Sequence, residues 1–193
     1  MMSQRHLRKL VAVTTILLSG CVNSGAVSAT SKSESSVETF SRISAVLRSP
    51  RCLNCHPSGN APRQGDERRV HDFRVVRGRD DRGAAGMRCA TCHQESNQEH
   101  SAVPGAPHWQ LAPASMGWEG LSDAELCRSL TRPQTNGGRS IEQVVQHMTD
   151  DPLVQWAWNP GAQRTLPPIA QQEFHELVRA WFRSGARCAD APD

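Results

Sequence analysis

Cys52-Leu53-Asn54-Cys55-His56 and Cys89-Ala90-Thr91-Cys92-His93 are two copies of one five-residue motif in this 193-residue chain. Each has the order C-x-x-C-H, in which two thiols separated by two residues can reach the two vinyl groups on one edge of a porphyrin. The histidine that follows is carried under the ring, where its imidazole can bind iron. The motifs therefore predict two covalently attached haem c groups. The predicted attachment residues are Cys52, Cys55, Cys89 and Cys92, and the predicted axial ligands are His56 and His93.

The first twenty residues predict a lipoprotein signal peptide. A basic segment with Arg5, Arg8 and Lys9 precedes an apolar run over residues 10–18, which is too short to span a bilayer. The run ends in Leu-Ser-Gly-Cys, which resembles the lipobox of bacterial lipoproteins. Cys21 is therefore predicted to become the lipid-modified N-terminus.

The same region predicts where the protein resides. Adjacent arginines are absent from the basic segment, which favours the general secretion route over twin-Arg export. Val22 follows the lipidated residue in place of an Asp, and by resemblance to bacterial lipoprotein sorting this favours the periplasmic side of the outer membrane. An ordinary signal peptide cleaved near Ala26 or Ala29 is the alternative.

The region that follows predicts a tether and one domain. Residues 21–38 are rich in Ser and small residues, as is typical of a flexible tether, and residues 39–193 are predicted to form the folded domain. The signal peptide holds three basic and no acidic residues, so the rest of the chain has 19 of each. A formal net charge of zero gives no support to a nucleic-acid partner.

Two other uses of the four motif cysteines remain open. A zinc ribbon also pairs two C-x-x-C motifs around one ion, but its usual spacing of about 15–20 residues is shorter than the 33 residues here. Export also disfavours a zinc ribbon, which is typical of reduced cytosolic proteins. A pair of disulfides is the third possibility, and it leaves the histidine after each motif unexplained.

The pattern of apolar residues predicts a small, all-α, loop-rich dihaem cytochrome c domain. Apolar side chains recur at helical spacing in residues 40–47, 126–130, 141–148 and 174–182. Ser122 with Glu125 and Ser140 with Gln143 have the spacing of capping boxes, and Gly185 lies where the last helix would end. No segment alternates convincingly as a strand would. Because the chain has no Tyr and only four Phe, the haems are expected to supply much of the core.

Two further features of the chain have competing explanations. The segment 57–88 holds eight arginines and five acidic residues and is predicted to be an irregular loop. Its arginines either pair with haem propionates or an acidic partner, or are simply solvated. Cys127 and Cys188 belong to neither motif, and export predicts a disulfide between them, with free thiols or intermolecular bridges as alternatives.

Each iron needs a distal ligand unless it is a reaction site. His71 ranks first because it lies between the two motifs, within reach of either haem. His147 ranks second because it borders the apolar face of a predicted helix. Met116, which lies in a loop beside Trp118, and His108 follow. The remaining candidates are His100, His175, Met87 and Met148.

With both motifs in place, the chain resembles a family of small bacterial dihaem cytochromes labelled as a subunit associated with isoquinoline 1-oxidoreductase, a molybdenum hydroxylase. The segments that carry this resemblance are 49–57 (SPRCLNCHP), 87–94 (MRCATCHQ), 104–109 (PGAPHW), 136–139 (NGGR) and 151–158 (DPLVQWAW). The resemblance covers roughly residues 40–188, and it implies histidines at His71 and His147. It also implies electron transfer, with a periplasmic oxidoreductase of the molybdenum hydroxylase type as partner.

Electron transfer is the predicted function, and an enzyme is not expected. A dihaem enzyme such as a small peroxidase is the first alternative, but it requires a releasable iron position and an acid–base group. Known dihaem peroxidases are similar in motif yet much longer, with wider haem spacing. A haem-based sensor or a structural lipoprotein is the second alternative, and no signalling domain supports sensing.

Overall fold

The computed structural model of the protein describes residues 34–190. The predicted signal peptide, the lipidation residue Cys21 and most of the predicted tether lie outside the described residues. The first helix begins at Ser36, so it includes the last three residues that the sequence assigned to the tether. None of the helices in the described part is long and apolar enough to cross a membrane.

The described part of the chain is mainly helices joined by long loops. Four of the six α-helices in this part form where apolar residues recur at helical spacing, and the two short ones begin at a proline. Their bounds are α1 (Ser36–Leu47), α2 (Pro50–Leu53), α3 (Asp123–Thr131), α4 (Ile141–Asp150), α5 (Pro152–Gln155) and α6 (Gln171–Arg183). Single 3₁₀ turns occur at Asp72–Arg74, Cys89–Thr91, Ala114–Met116 and Trp156–Trp158.

The expectation of an all-α domain was wrong in one respect. Two antiparallel hairpins interrupt the loop between the motifs: β1 (Arg63–Gln64) pairs with β2 (Arg69–Val70), and β3 (Gly83–Ala84) with β4 (Met87–Arg88). Helices make up about 41% of the described residues and strands about 5%, so the small loop-rich domain is confirmed. Strands of two residues are too short to show the alternation by which a strand is detected in a sequence.

The helices build a core from their own side chains. α1 and α4 pack on α6, and α3 packs on α1. Phe40 of α1 contacts Trp181 of α6 with ring centroids 5.1 Å apart, and Trp181 is completely buried. Burial of these aromatic and aliphatic groups drives the packing of the helices, so the chain has a hydrophobic core in addition to any cofactor.

The helix ends have the capping residues that the sequence predicts. The capping boxes at Ser122 and Ser140 are confirmed, with each hydroxyl accepting a hydrogen bond from the backbone N–H three residues on. A third box, in which Ser35 caps α1, was not predicted. Gly185 has a φ of +93°, and Ala186 N–H donates to the Trp181 carbonyl. The left-handed glycine therefore ends α6 as the sequence indicated.

Cys127 and Cys188, the pair expected to bridge, are joined by a disulfide with Cα atoms 5.5 Å apart. The bond connects α3 to the segment that follows α6. Because α3 packs on α1, it fastens the C-terminal end of the described chain to the helical core.

Two candidate haem sites

The two C-x-x-C-H motifs form the same backbone turn, although their surroundings differ. The N–H of His56 donates to the Cys52 carbonyl at 3.1 Å, and the N–H of His93 donates to the Cys89 carbonyl at 2.9 Å. A helical turn of this kind places the first and fourth residues on one side. Each motif therefore presents its two cysteines together, with the histidine directly after them.

The first motif opens into an apolar cleft. The cleft contains about 850 Å³ of empty space, including its opening to solvent, and Cys52, Cys55 and His56 contribute to its wall. Leu47 of α1, Met148 of α4 and Phe174 of α6 also line it, so the helical core forms one side of the cleft. A flat apolar group attached to the two thiols would be sheltered from water by these side chains.

His56 is held in one orientation by its neighbours. Its Nδ1 lies 3.0 Å from the Met116 carbonyl, and its ring stacks on Trp118 with a centroid separation of 3.4 Å. The carbonyl fixes the proton on Nδ1, which leaves Nε2 as the basic nitrogen. Although part of the ring still borders the open cleft, burial lowers the pKa of His56 to about 3. The imidazole is therefore neutral, as a metal ligand must be.

His147 lies in the wall of the same cleft. Its Nδ1 lies 2.9 Å from Asp151 Oδ2, and the other oxygen of Asp151 accepts a hydrogen bond from Leu153 N–H at the start of α5. The hydrogen bond from His147 is the main cause of the lowered pKa of Asp151. A carboxylate on the second ring nitrogen is a frequent partner of metal-binding histidines. The first cleft thus brings one motif histidine and one predicted distal histidine together.

The second motif repeats this arrangement near the surface. The Nδ1 atom of His93 lies 2.7 Å from the Pro104 carbonyl, and the ring stacks on Trp109 with a centroid separation of 4.5 Å. Burial lowers the pKa of His93, so this imidazole is also held neutral. Cys92 is exposed, and this site is more open than the first one.

His71 faces the second motif. Its ring centroid lies 5.9 Å from that of His93, and its Nδ1 lies 2.8 Å from the Asp72 carbonyl. Two imidazoles bound to one metal ion by bonds of about 2 Å have ring centres roughly 6 Å apart. The separation fits a shared iron, and both Nδ1 atoms are already engaged with carbonyl groups. The residues at both motifs therefore fit an axially ligated haem c.

The chemistry of the four motif thiols also bears on the alternatives. All four are free, so the structure contains no disulfide within or between the motifs. Burial raises the pKa of Cys52 to about 11 and that of Cys55 to about 12, which excludes a stable thiolate nucleophile at neutral pH. Within residues 34–190, no group of three or more His, Cys, Asp or Glu side chains is arranged to hold a metal ion, so the four sulfurs do not converge as in a zinc ribbon.

The two sites adjoin each other. Trp109, which stacks on His93, meets Trp156 edge to face at a centroid separation of 4.8 Å, and Trp156 lines the first cleft. A short aromatic path therefore links the second motif histidine to the first cleft.

The other distal candidates fit less well. Met116 and Met148 line the first cleft, but the Met116 carbonyl holds His56 and so belongs to the side of the motif histidine. His175 is engaged with Gln155, 2.8 Å from its Nε2. The remaining candidates are exposed, namely Met87, His100 and His108.

Most arginines of the segment 57–88 have local partners. The ion pairs there join Arg63 and Arg68 to Glu119, Arg69 to Asp72, Arg77 to Asp81, and Arg88 to Asp80. These pairs hold the two hairpins in place. Five of the eight arginines of this segment are therefore paired with carboxylates of the same domain. Pairing with propionates or an acidic partner, or simple solvation, stays a prediction for the other three.

Sequence reasoning missed the groups that orient the motif histidines. Trp118 and Trp109 stack on them, and the carbonyl groups of Met116 and Pro104 accept hydrogen bonds from their Nδ1 atoms. Backbone acceptors have no sequence pattern, although the tryptophans lay in segments already noted. No protein-family model, curated protein or solved structure matches the chain.

Proposed function

We propose that this protein is a dihaem c-type cytochrome that transfers electrons. Cys52 and Cys55 would hold one haem c, with His56 and His147 as its axial ligands. Cys89 and Cys92 would hold the other, with His93 and His71. The haems would supply one-electron chemistry when bound.

The observation that carries this proposal is the repeated pairing of imidazoles at the two motifs. Each motif histidine has its Nδ1 on a backbone carbonyl, and each shares its site with a second histidine whose Nδ1 is also engaged. The nitrogen that stays available on each of these rings is Nε2, the atom that would bind an iron at that motif. An iron with both axial positions filled has no room for a substrate.

This arrangement favours electron transfer over a peroxidase. A peroxidase needs a releasable iron position with an acid–base group beside it. The only acidic side chain bonded to either distal histidine, among the described residues, is Asp151, and its two oxygens are occupied by His147 and the start of α5. The contact between Trp109 and Trp156 supports transfer between the two sites.

The partner and location belong to the same proposal. The resemblance of the motif segments supports a periplasmic oxidoreductase of the molybdenum hydroxylase type as electron donor. The lipobox supports a lipid anchor at Cys21, export by general secretion and residence on the periplasmic side of the outer membrane. The zero net charge of residues 21–193 supports a protein partner rather than a nucleic acid.

The mature protein is expected to carry two covalent haems. Mass spectrometry after extraction with acidic acetone should give the polypeptide mass plus two haems, because thioether bonds survive this treatment while unattached haem is removed. The Cys89→Ser/Cys92→Ser protein should retain one haem, and Cys127→Ala/Cys188→Ala should retain two. A mass equal to that of the bare polypeptide, or of the polypeptide with one zinc ion, would contradict the proposal.

Lipidation is tested at a single residue. Cys21→Ser removes the thiol that would take the lipid, so the variant should either be released in soluble form or accumulate as an unprocessed precursor. Membrane fractionation and immunoblotting would measure this against the wild-type protein and against Ser19→Ala, which keeps the cysteine. Unchanged processing and unchanged membrane association of Cys21→Ser would reject lipidation at this site.

A further inference from the structure

The permanently charged side chains in the described wall of the first cleft are all positive. Among the described residues that line it, Arg51 and Arg139 are the permanently charged ones, and none is a carboxylate. The rest of the wall is mainly aliphatic and aromatic. A ligand that fits such a wall has an apolar body and at least one negative group.

We propose that Arg139 forms a carboxylate-binding subsite in this cleft. This inference rests on the proposed function, and the ligand group would be a propionate of the haem attached to Cys52 and Cys55. Arg139 supplies a positive charge, and no carboxylate among the described residues lines the cleft beside it.

The loop before Arg139 has a fixed conformation that determines where the Arg139 side chain lies. Asn136 is completely buried, and its amide donates to the carbonyl groups of Leu130 and Arg139 at 2.9 Å, while its Oδ1 accepts from Arg139 N–H at 2.8 Å. Gly137 and Gly138 both have a φ of +79°, which favours glycine. A Cβ at Gly137 would lie 2.5 Å from Arg139 Nη1, so the guanidinium packs directly against Gly137.

The guanidinium of Arg139 has no counter-ion among the described residues. Its Nη1 donates to the Asn136 carbonyl at 2.9 Å and lies 4.0 Å from Met116 Sδ. No ion pair within residues 34–190 includes Arg139, whereas most arginines of the loop 57–88 have one. A half-buried guanidinium beside apolar groups is stabilised when a carboxylate binds it.

Arg51, the other cationic residue of the wall, already has a counter-ion. Its side chain is only 1% exposed, and its Nη2 donates to Asp66 at 2.5 Å and lies 3.3 Å from the Gly65 carbonyl. Its Nε has no hydrogen-bond partner although it is buried. Unsatisfied buried donors are unfavourable and uncommon in native proteins. Because Arg51 directly precedes Cys52, this donor lies at the edge of the cleft where the vinyl groups of a haem would be attached. The propionates of a haem lie on the opposite edge of the ring, so Arg51 is not part of the proposed subsite.

The test compares Arg139→Gln with wild type by redox titration and resonance Raman spectroscopy. Loss of a nearby positive charge favours the oxidised iron, so the haem at the first motif should titrate at a lower potential while the other is unchanged. The Raman band of the haem propionates should also shift, which a purely structural role would not produce. Arg132→Gln, at an exposed position outside the cleft, is the matched control and should change neither.

A conservative variant keeps the inference testable if Arg139→Gln does not fold. Arg139→Lys retains the charge but not the planar pair of donors, so its potential should lie between those of the wild type and Arg139→Gln, with a shifted propionate band. An unchanged propionate band in either variant would overturn the subsite. A protein that lacks both haems would instead overturn the proposed function, so the two failures are distinguishable.

Discussion

In the His147→Ala protein, the haem at the first motif is expected to become high-spin while the other stays low-spin. Alanine cannot bind iron, whereas the two thioether bonds and His56 would still hold the ring. About half of the low-spin signal should therefore be lost in the electron paramagnetic resonance and optical spectra, since one of two haems loses its sixth ligand. His71→Ala should have the same effect at the second motif, and the double variant should contain no low-spin haem.

The assignment of each histidine to one motif can be tested in a single-haem background. In Cys89→Ser/Cys92→Ser, which should keep only the first haem, His147→Ala is expected to abolish the low-spin signal. His71→Ala should leave that signal intact, because His71 lies beside His93 and outside the first cleft. The matched control is His100→Ala, since His100 is exposed.

Ligation by two histidines also predicts the redox behaviour. A methionine ligand raises the reduction potential of a cytochrome, so both haems should titrate below a His/Met cytochrome c. An absorption band typical of methionine ligation would instead favour Met116, whose side chain lines the first cleft. A high-spin haem in the unmodified protein, together with rapid turnover of peroxide, would favour the peroxidase.

Removal of the disulfide is expected to have the largest effect on stability. The bond closes a loop with a sequence separation of 61 residues, and the chain-entropy model assigns about 4 kcal/mol to a loop of this length. The double variant Cys127→Ala/Cys188→Ala should lose about that much free energy of unfolding in a urea titration. Alanine is chosen because Cys127 is completely buried, where a serine hydroxyl would add its own cost.

Two controls separate the disulfide from the rest of the protein. Reduction of the disulfide in the wild-type protein should lower its stability to nearly the value of the double variant. Once both proteins are brought back to the same iron oxidation state, each should show two low-spin haems. Retention of wild-type stability after removal of both cysteines would contradict a stabilising role. Covalent dimers on a non-reducing gel would favour the alternative of intermolecular bridges.

Local sequence patterns determined the elements of this protein. The spacing of apolar residues and the Ser-x-x-Glu or Ser-x-x-Gln pattern predicted α3 and α4 with their caps, because both signals depend on residues within a turn or two. The C-x-x-C-H order predicts two haem attachment sites, since attachment to one porphyrin edge requires this spacing, and both stretches form the same turn. Both hairpins were missed, because their strands are too short to leave a pattern.

Only the tertiary structure shows which histidine lies beside which motif. His71 follows the first motif by 15 residues in the chain, yet it faces His93, and His147 lies far from both motifs in sequence but shares the cleft of His56. The stacking tryptophans and the carbonyl acceptors were also beyond prediction. These pairings depend on how α4 packs on α6 and how the loop between the motifs folds back. Contacts between distant segments depend on the burial and shape of side chains across the whole domain. A short stretch of sequence does not determine these contacts.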